Sequence, residues 1–391
     1  MNLTDTFARF AKSEQFGGVL LLACTIVSLA LANSPAGDPW LGVWQTRLGP
    51  LSLEHWINDA LMAIFFLLIG LELERELYVG ELSSVRNALL PAFAAVGGMI
   101  APALFHFALN GGSATQPGFG IPMATDIAFA LGVLALLGKR VPPALKVFIV
   151  AFAVIDDLGA IVLIAVVYTA HVAVVWVALA LGVWAALIVL NRLRITTLVP
   201  YLAGGAFMWV CLLNAGVHAS IAGVMLAFAI PFTARAPGAE SPSHRLEHWL
   251  HKPVAFLILP LFALANTGVP IDADAIAQLQ GTNSLGIALG LLLGKPLGVL
   301  LMCVLAVASG VSALPVGNRW THIVGAGLLG GIGFTMSIFI TNLAFANAPA
   351  LINSSKLAVL IASLVAGVLG FLWLRVMPEK GTFLFFSRRK K

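Results

Sequence analysis

The chain reads as an all-α membrane protein, a single polytopic domain over residues 1–391 with about 12 transmembrane helices. Only 10% of its 391 residues are charged and 60% are hydrophobic, whereas a water-soluble domain carries about 25% charged residues. Apolar runs close to the roughly 20 residues that a bilayer-crossing helix needs recur along nearly the whole chain, separated by short polar breaks. The loops between them alternate between basic and neutral, as the loops of a multi-pass membrane protein do.

Taken in order, the first run starts near residue 16, after Asp5, Arg9, Lys12 and Glu14. It lacks a small-residue cleavage site, so it is expected to stay in the membrane. Further spans are placed near 56–73, 88–109, 121–138, 145–168, 173–190, 198–212, 216–231, 253–268, 284–308, 322–345 and 356–374. The longest interior polar stretch, Thr233–Lys252, reads as a cytoplasmic loop. The formal net charge of +5 raises the question of a nucleic-acid partner, but the placement of the charges answers it. Of the 22 Lys and Arg, only Arg47 and Lys356 fall on the outer side and only Lys295 lies within a span. This asymmetry predicts that both termini are cytoplasmic and makes nucleic acid unnecessary. The basic tail Arg388–Lys391 reads as a topology signal, in preference to the alternative of a contact with anionic lipid headgroups. Cys24, Cys211 and Cys303 are isolated within apolar runs and read as small core residues.

Two spans are interrupted. In GFGIPMATDIAFALG, Gly118, Gly120 and Pro122 precede Thr125 and Asp126; in GLLGGIGFTMS, Gly330, Gly331 and Gly333 sit beside Thr335 and Ser337. Glycine and proline weaken helices at such depth. Either run alone fits close helix packing through small residues. Both together, one beside a buried aspartate, point to irregular backbone around a transporter's binding site. Their positions also predict two three-span repeats, roughly 88–168 and 284–374, inverted because five spans intervene.

Asp126, Asp156 and Asp157 fall well inside apolar spans, with Asp59 near the outer end of one and Glu72 near an inner end. An ionised Asp at the bilayer centre costs roughly 2.5–3.5 kcal/mol even on the lenient insertion scale, so the adjacent pair Asp156 and Asp157 needs a function. About 100° apart on a helix, the two share a neighbourhood without pointing the same way. A proton and a cation compete for such oxygens, which is the chemistry of exchange. Lys295 needs a partner equally, and Asp156 is the obvious one. The run GLLLGKP lacks a spacer residue and the Ser or Thr of a phosphate-binding loop, so ATP is not expected and an ion gradient drives the cycle. The rivals are a sodium-coupled solute symporter and an intramembrane aspartyl protease, whose paired aspartates sit on separate helices.

The segments NDALMAIFFLLIGLELERE, MATDIAFALGVLALLGKRVP, VIDDLGAI, GVHASIAGV, RLEHWLHKPVAFLILPLFALANTGV, GKPLG and GIGFTMSIFI resemble the NhaA family of sodium/proton antiporters, over residues 58 to 340. The resemblance implies a bacterial inner-membrane transporter, not an enzyme, that extrudes Na+ or Li+ against protons without a cofactor. It implies twelve spans with two crossing broken helices, a property established for that family. It makes Asp157 the principal cation ligand and Asp156 the second carboxylate and partner of Lys295, with Thr125 and Asp126 at the crossing. Asp59 and Glu72 match family positions near the second span. Control by pH is implied at Glu72, Glu247, His248, His251 and His218, and a homodimer through residues 34 to 55. Glu74 stands where the family segment carries a basic residue, which alters the local charge balance. Bottom-up, His244, His248 and His251 have helical spacing, but loop histidines with no buried carboxylate or cysteine partner do not make a zinc site.

Overall fold

The computed structural model describes residues 3–169, 172–233, 240–315 and 317–377. Arg235 and the basic tail Arg388–Lys391 lie outside them. The order is α1 (Leu3–Ala32), α2 (Gly37–Gln45), a small hairpin of β1 (Arg47–Leu48) and β2 (Leu51–Ser52), α3 (Leu53–Tyr78), α4 (Val85–Asn110), α5 (Ile127–Leu137), α6 (Pro143–Val167), α7 (Val174–Arg192), α8 (Val199–Ala215), α9 (Ile221–Ala227), α10 (Pro242–Asn266), α11 (Ala273–Leu279), α12 (Thr282–Ala308), α13 (Trp320–Gly330), α14 (Phe334–Ala344) and α15 (Pro349–Val376).

Among the described residues eight helices have the length and hydropathy to cross a membrane, the segment Gln116–Leu137 among them. Two bent pairs raise the number to ten: residues 16–32 with α2, at 116°, and α13 with α14, at 47°. The helices bury one face on a shared core and leave large apolar side chains outward; Leu136 and Val166 are each 75% exposed. A surface of this kind is stable only against hydrocarbon.

Three long helices contain a π-helical turn: Trp56–Leu61 in α3, Val254–Ile258 in α10 and Gly290–Gly294 in α12. Such wide turns concentrate near functional sites. The glycine-rich interruptions are visible as well. Gln116–Met123 forms a 3-10 helix, Ala124 and Asp126 are extended, and α5 begins at Ile127. In the other span α13 stops at Gly330 and α14 restarts at Phe334.

Helices α4 and α12 approach backbone to backbone. A Cβ on Gly298 would collide with the Gly97 carbonyl oxygen and stand 2.7 Å from the Ala101 Cβ. Gly298→Ala is therefore expected to destabilise the protein by about 1–3 kcal/mol, as overpacking does. Thermal unfolding of the detergent-purified variant checks this, and an unchanged midpoint would show that the helices can separate at no cost.

Two departures from the sequence reading change where charged residues sit. Residues 242–253, read as loop, are helical and run on into the next span. Ser241 caps the start by accepting a hydrogen bond from the His244 amide at 3.1 Å, and Leu246 and Leu250 are buried beneath the polar face. Polar composition concealed an amphipathic helix. Lys356, read as lying just outside the membrane, sits within α15 and is 6% exposed.

Candidate ion-binding site

The apolar run of α6 carries Asp156 and Asp157 into the centre of the bundle, where they are 0% and 2% exposed. Lys295, the first residue after the π-helical turn of α12, is 0% exposed. Its ammonium donates to Asp156 Oδ2 at 2.7 Å and to the Met123 carbonyl, at the end of the 3-10 helix. The Phe152 ring lies 5.7 Å from the same nitrogen. A buried pair of this kind is costly to desolvate, but removing one partner costs more, because a naked charge remains.

Asp126 has a different environment. It caps α5, its Oδ1 accepting from the Phe129 amide at 3.0 Å. Its Oδ2 accepts from the Thr335 amide at 3.1 Å and from the Thr335 hydroxyl at 2.5 Å. The carboxylate thus serves the amide ends of two half-helices, where the helix dipoles favour an anion. The two interruptions bond to each other elsewhere too. Thr125 Oγ1 donates to the Gly330 carbonyl at 2.9 Å, the Asp126 amide to the Ile332 carbonyl at 2.6 Å, and Ser337 Oγ to the Ile121 carbonyl at 2.6 Å.

Asp156 Oδ1 and Asp157 Oδ1 are both buried without a hydrogen-bond partner among the described residues, and of the two aspartates only Asp157 lines a cavity. An unsatisfied carboxylate oxygen in such a place is costly unless a proton or a cation takes it. The cavity, of about 90 Å³, is lined by Thr125, Asp126, Asp157 and Thr335 at one end and by Glu72 and His251 at the other. At ~30 Å³ per water, this admits a few waters or a partly hydrated ion.

The other end is a second charged cluster joining α3 to α10. Glu247 Oε1 accepts from Arg75 Nε at 2.9 Å, and Arg75 also pairs with Glu76 at 2.9 Å. His251 Nε2 lies 3.5 Å from Glu72 Oε1 and 3.8 Å from Glu247 Oε1. One ligand atom each from Glu72, Glu247 and His251 fall within 4.8 Å of one another, a spacing that admits a divalent cation; the guanidinium on Glu247 competes with it. The fold thus buries Glu247, four residues before His251 on the same helix, and brings Glu72 from α3 to join them. Glu74 is buried and accepts from Ser243 Oγ at 2.8 Å, so its carboxylate faces α10.

Three of the expected residues stand apart. His248 is exposed and, among the described residues, makes no hydrogen bond or ion pair. Half-buried His218 lies between α8 and α9, beside the Tyr168 backbone. Asp59 lies in the π-helical turn of α3, where its carbonyl accepts from Trp209 Nε1 at 3.3 Å. Conversely, the partners Thr335, Ser337, Arg75 and Ser243 were not singled out as a network. Hydroxyls beside glycines are a faint signal, and only the meeting of distant segments gives them a role.

Paired buried carboxylates, a buried lysine and broken apolar helices around a narrow cavity define a multi-pass membrane transporter for small ions. The family model described as Na+/H+ antiporter 1 matches residues 8–374, and the chain belongs to this family of sodium/proton antiporters. Among its relatives, the Na(+)/H(+) antiporter NhaA of Dechloromonas aromatica is 62% identical, over 96% of this chain and 97% of its own. The Na(+)/H(+) antiporter NhaA 1 of Flavobacterium johnsoniae is 56% identical, over 96% and 98%. The Na(+)/H(+) antiporter NhaA of Mesorhizobium japonicum is 48% identical, over 96% of each. Membership makes the chain a transporter and not an enzyme, with Na+ and H+ as transported ions rather than cofactors.

Proposed function

We propose that the protein extrudes Na+, and Li+ with it, across a bacterial inner membrane, taking up more than one external proton per cation, and that alkaline pH activates it. The observation that carries this reading is the partnerless Asp157 oxygen, buried at the end of a cavity of about 90 Å³. Asp157 is the principal cation ligand, and Asp156 with Lys295 is the second proton-carrying pair. A proton and a cation cannot both occupy these oxygens, so release of one permits binding of the other. The cavity is also far smaller than the ~300–1,000 Å³ typical of organic-ligand sites, which disfavours solute symport.

Thr125 and Asp126 hold the crossing of two interrupted spans, a reading supported by the bonds that run from each to the other interruption. The domain is single, with twelve spans, inverted repeats at roughly 88–168 and 284–374, and both termini cytoplasmic. Glu72, Glu247 and His251 serve as the pH-responsive gate, a reading supported by their lining or adjoining the cavity that Asp157 lines. By family position Asp59, His218 and His248 take part in that control. The hairpin of β1 and β2 lies in residues 34 to 55, the segment through which two copies pair, and it displays Leu48 at 64% exposure.

In energised inverted vesicles loaded with a pH-sensitive dye, adding Na+ at alkaline pH is expected to restore fluorescence and adding K+ is not. Silence towards Na+ would overturn the reading.

A further inference from the structure

A second cavity, of about 380 Å³, lies apart from the ion site, where α4 and α6 both begin and the chain leaves α12. Both helices start as membrane spans here, so the cavity sits at the level where headgroups meet hydrocarbon. Its wall is divided. Glu81, Arg86 and Asn87 form the polar side; Leu90, Val147 and Leu314 form the apolar side. Arg86 is exposed and, among the described residues, its guanidinium makes no hydrogen bond or ion pair. The Glu81 carboxylate, in the same cavity, accepts from Asn87 Nδ2 at 3.1 Å and does not reach Arg86 at ion-pair distance. A cation and an anion thus stand separately along one amphipathic groove.

We propose that this groove holds one phospholipid with a primary-ammonium headgroup, of the phosphatidylethanolamine class. Arg86 takes the phosphate, whose geometry its guanidinium fork matches. Glu81 accepts from the ammonium, and Leu90, Val147 and Leu314 line the start of the acyl chains. Basic pockets between membrane helices generally select anionic lipids. Here Glu81 changes the choice, because a lipid bearing only negative charge sets that charge against the carboxylate. A choline headgroup lacks the N–H donors that the carboxylate accepts. The bound lipid would bridge α4 and α6 to the segment that follows α12.

Native mass spectrometry of the whole purified protein, offered equal amounts of phosphatidylethanolamine, phosphatidylcholine and phosphatidylglycerol, tests this. The wild type is expected to retain one phosphatidylethanolamine in preference to the other two. Arg86→Ala is expected to weaken that retention roughly fivefold, the effect of one cation at a membrane surface. Arg86→Lys, which keeps the charge, is expected to lose less. Glu81→Gln is expected to abolish the preference over phosphatidylglycerol while lipid is still bound. Thermal unfolding of each variant separates a lost site from a lost fold. Equal retention of the three lipids by the wild type, or unchanged retention by a folded Arg86→Ala, would overturn the proposal.

Discussion

Asp157→Asn is expected to abolish sodium/proton exchange and to leave a protein that still folds and inserts. Asparagine keeps the size of the side chain but cannot hold or lose the charge on which both ions depend. The native Asp157 Oδ1 lacks a hydrogen-bond partner, so the substitution breaks no bond at that atom among the described residues. Removing the anionic partner of a buried cation costs ~3–5 kcal/mol, which lowers affinity by roughly two to four orders of magnitude. Isothermal titration with Li+ should show no binding heat, and thermal unfolding should remain near wild type. Full affinity in the variant would move the cation site away from α6.

The second large effect concerns charge. Asp156, Asp157 and Lys295 offer two acids and one base, and one incoming Na+ replaces one charge. If Asp156 or Lys295 releases its own proton when Na+ reaches Asp157, more protons than sodium ions move per cycle. The 2.7 Å contact between Lys295 and Asp156 makes such coupling direct, because the proton state of either residue decides whether the pair holds. An inside-negative potential would then assist extrusion by about 2.3 kcal/mol per net charge per 100 mV. Addition of Na+ to proteoliposomes on a solid-supported membrane is expected to produce a transient current, and a potassium-valinomycin potential is expected to change the rate of Na+ efflux. Transport indifferent to the potential would mean one-for-one exchange, with Lys295 and Asp156 holding the structure and releasing no proton.

The charged core of the site was legible because it violates its surroundings: Asp156, Asp157 and Lys295 interrupt apolar runs in which a lone charge is untenable. The glycine-rich breaks were legible for a similar reason, as weak helix formers at membrane depth. What the chain does with Thr335 and Ser337 was not, since their acceptors lie more than two hundred residues away in sequence. Residues 242–253 misled the reading because length and polarity suggested a loop, and only packing against α3 shows the amphipathic face. The contacts of the charged cluster were hidden for the same reason: the resemblance grouped Glu72 with Glu247 and His251, but a loop gave no basis for setting Glu247 against Arg75. Helix number remained coarser than twelve for a related reason: α9 spans only Ile221–Ala227, shorter than hydropathy alone suggests.

The backbone approach of α4 and α12 also constrains how the molecule can move. At Gly97 and Gly298 each carbonyl oxygen faces the other residue's Cα, Gly294 lies against the Pro102 backbone, and Gly290 lies against Pro122. Where glycine meets backbone no side chain separates the two helices, so little flexible padding is there to absorb sliding. Packed surfaces of this sort shift as one body or not at all. The pair is therefore expected to move as one rigid body with Lys295 fixed to it, whereas Leu21 of α1, Phe65 of α3 and Val254 of α10 line the cavity with side chains that can repack.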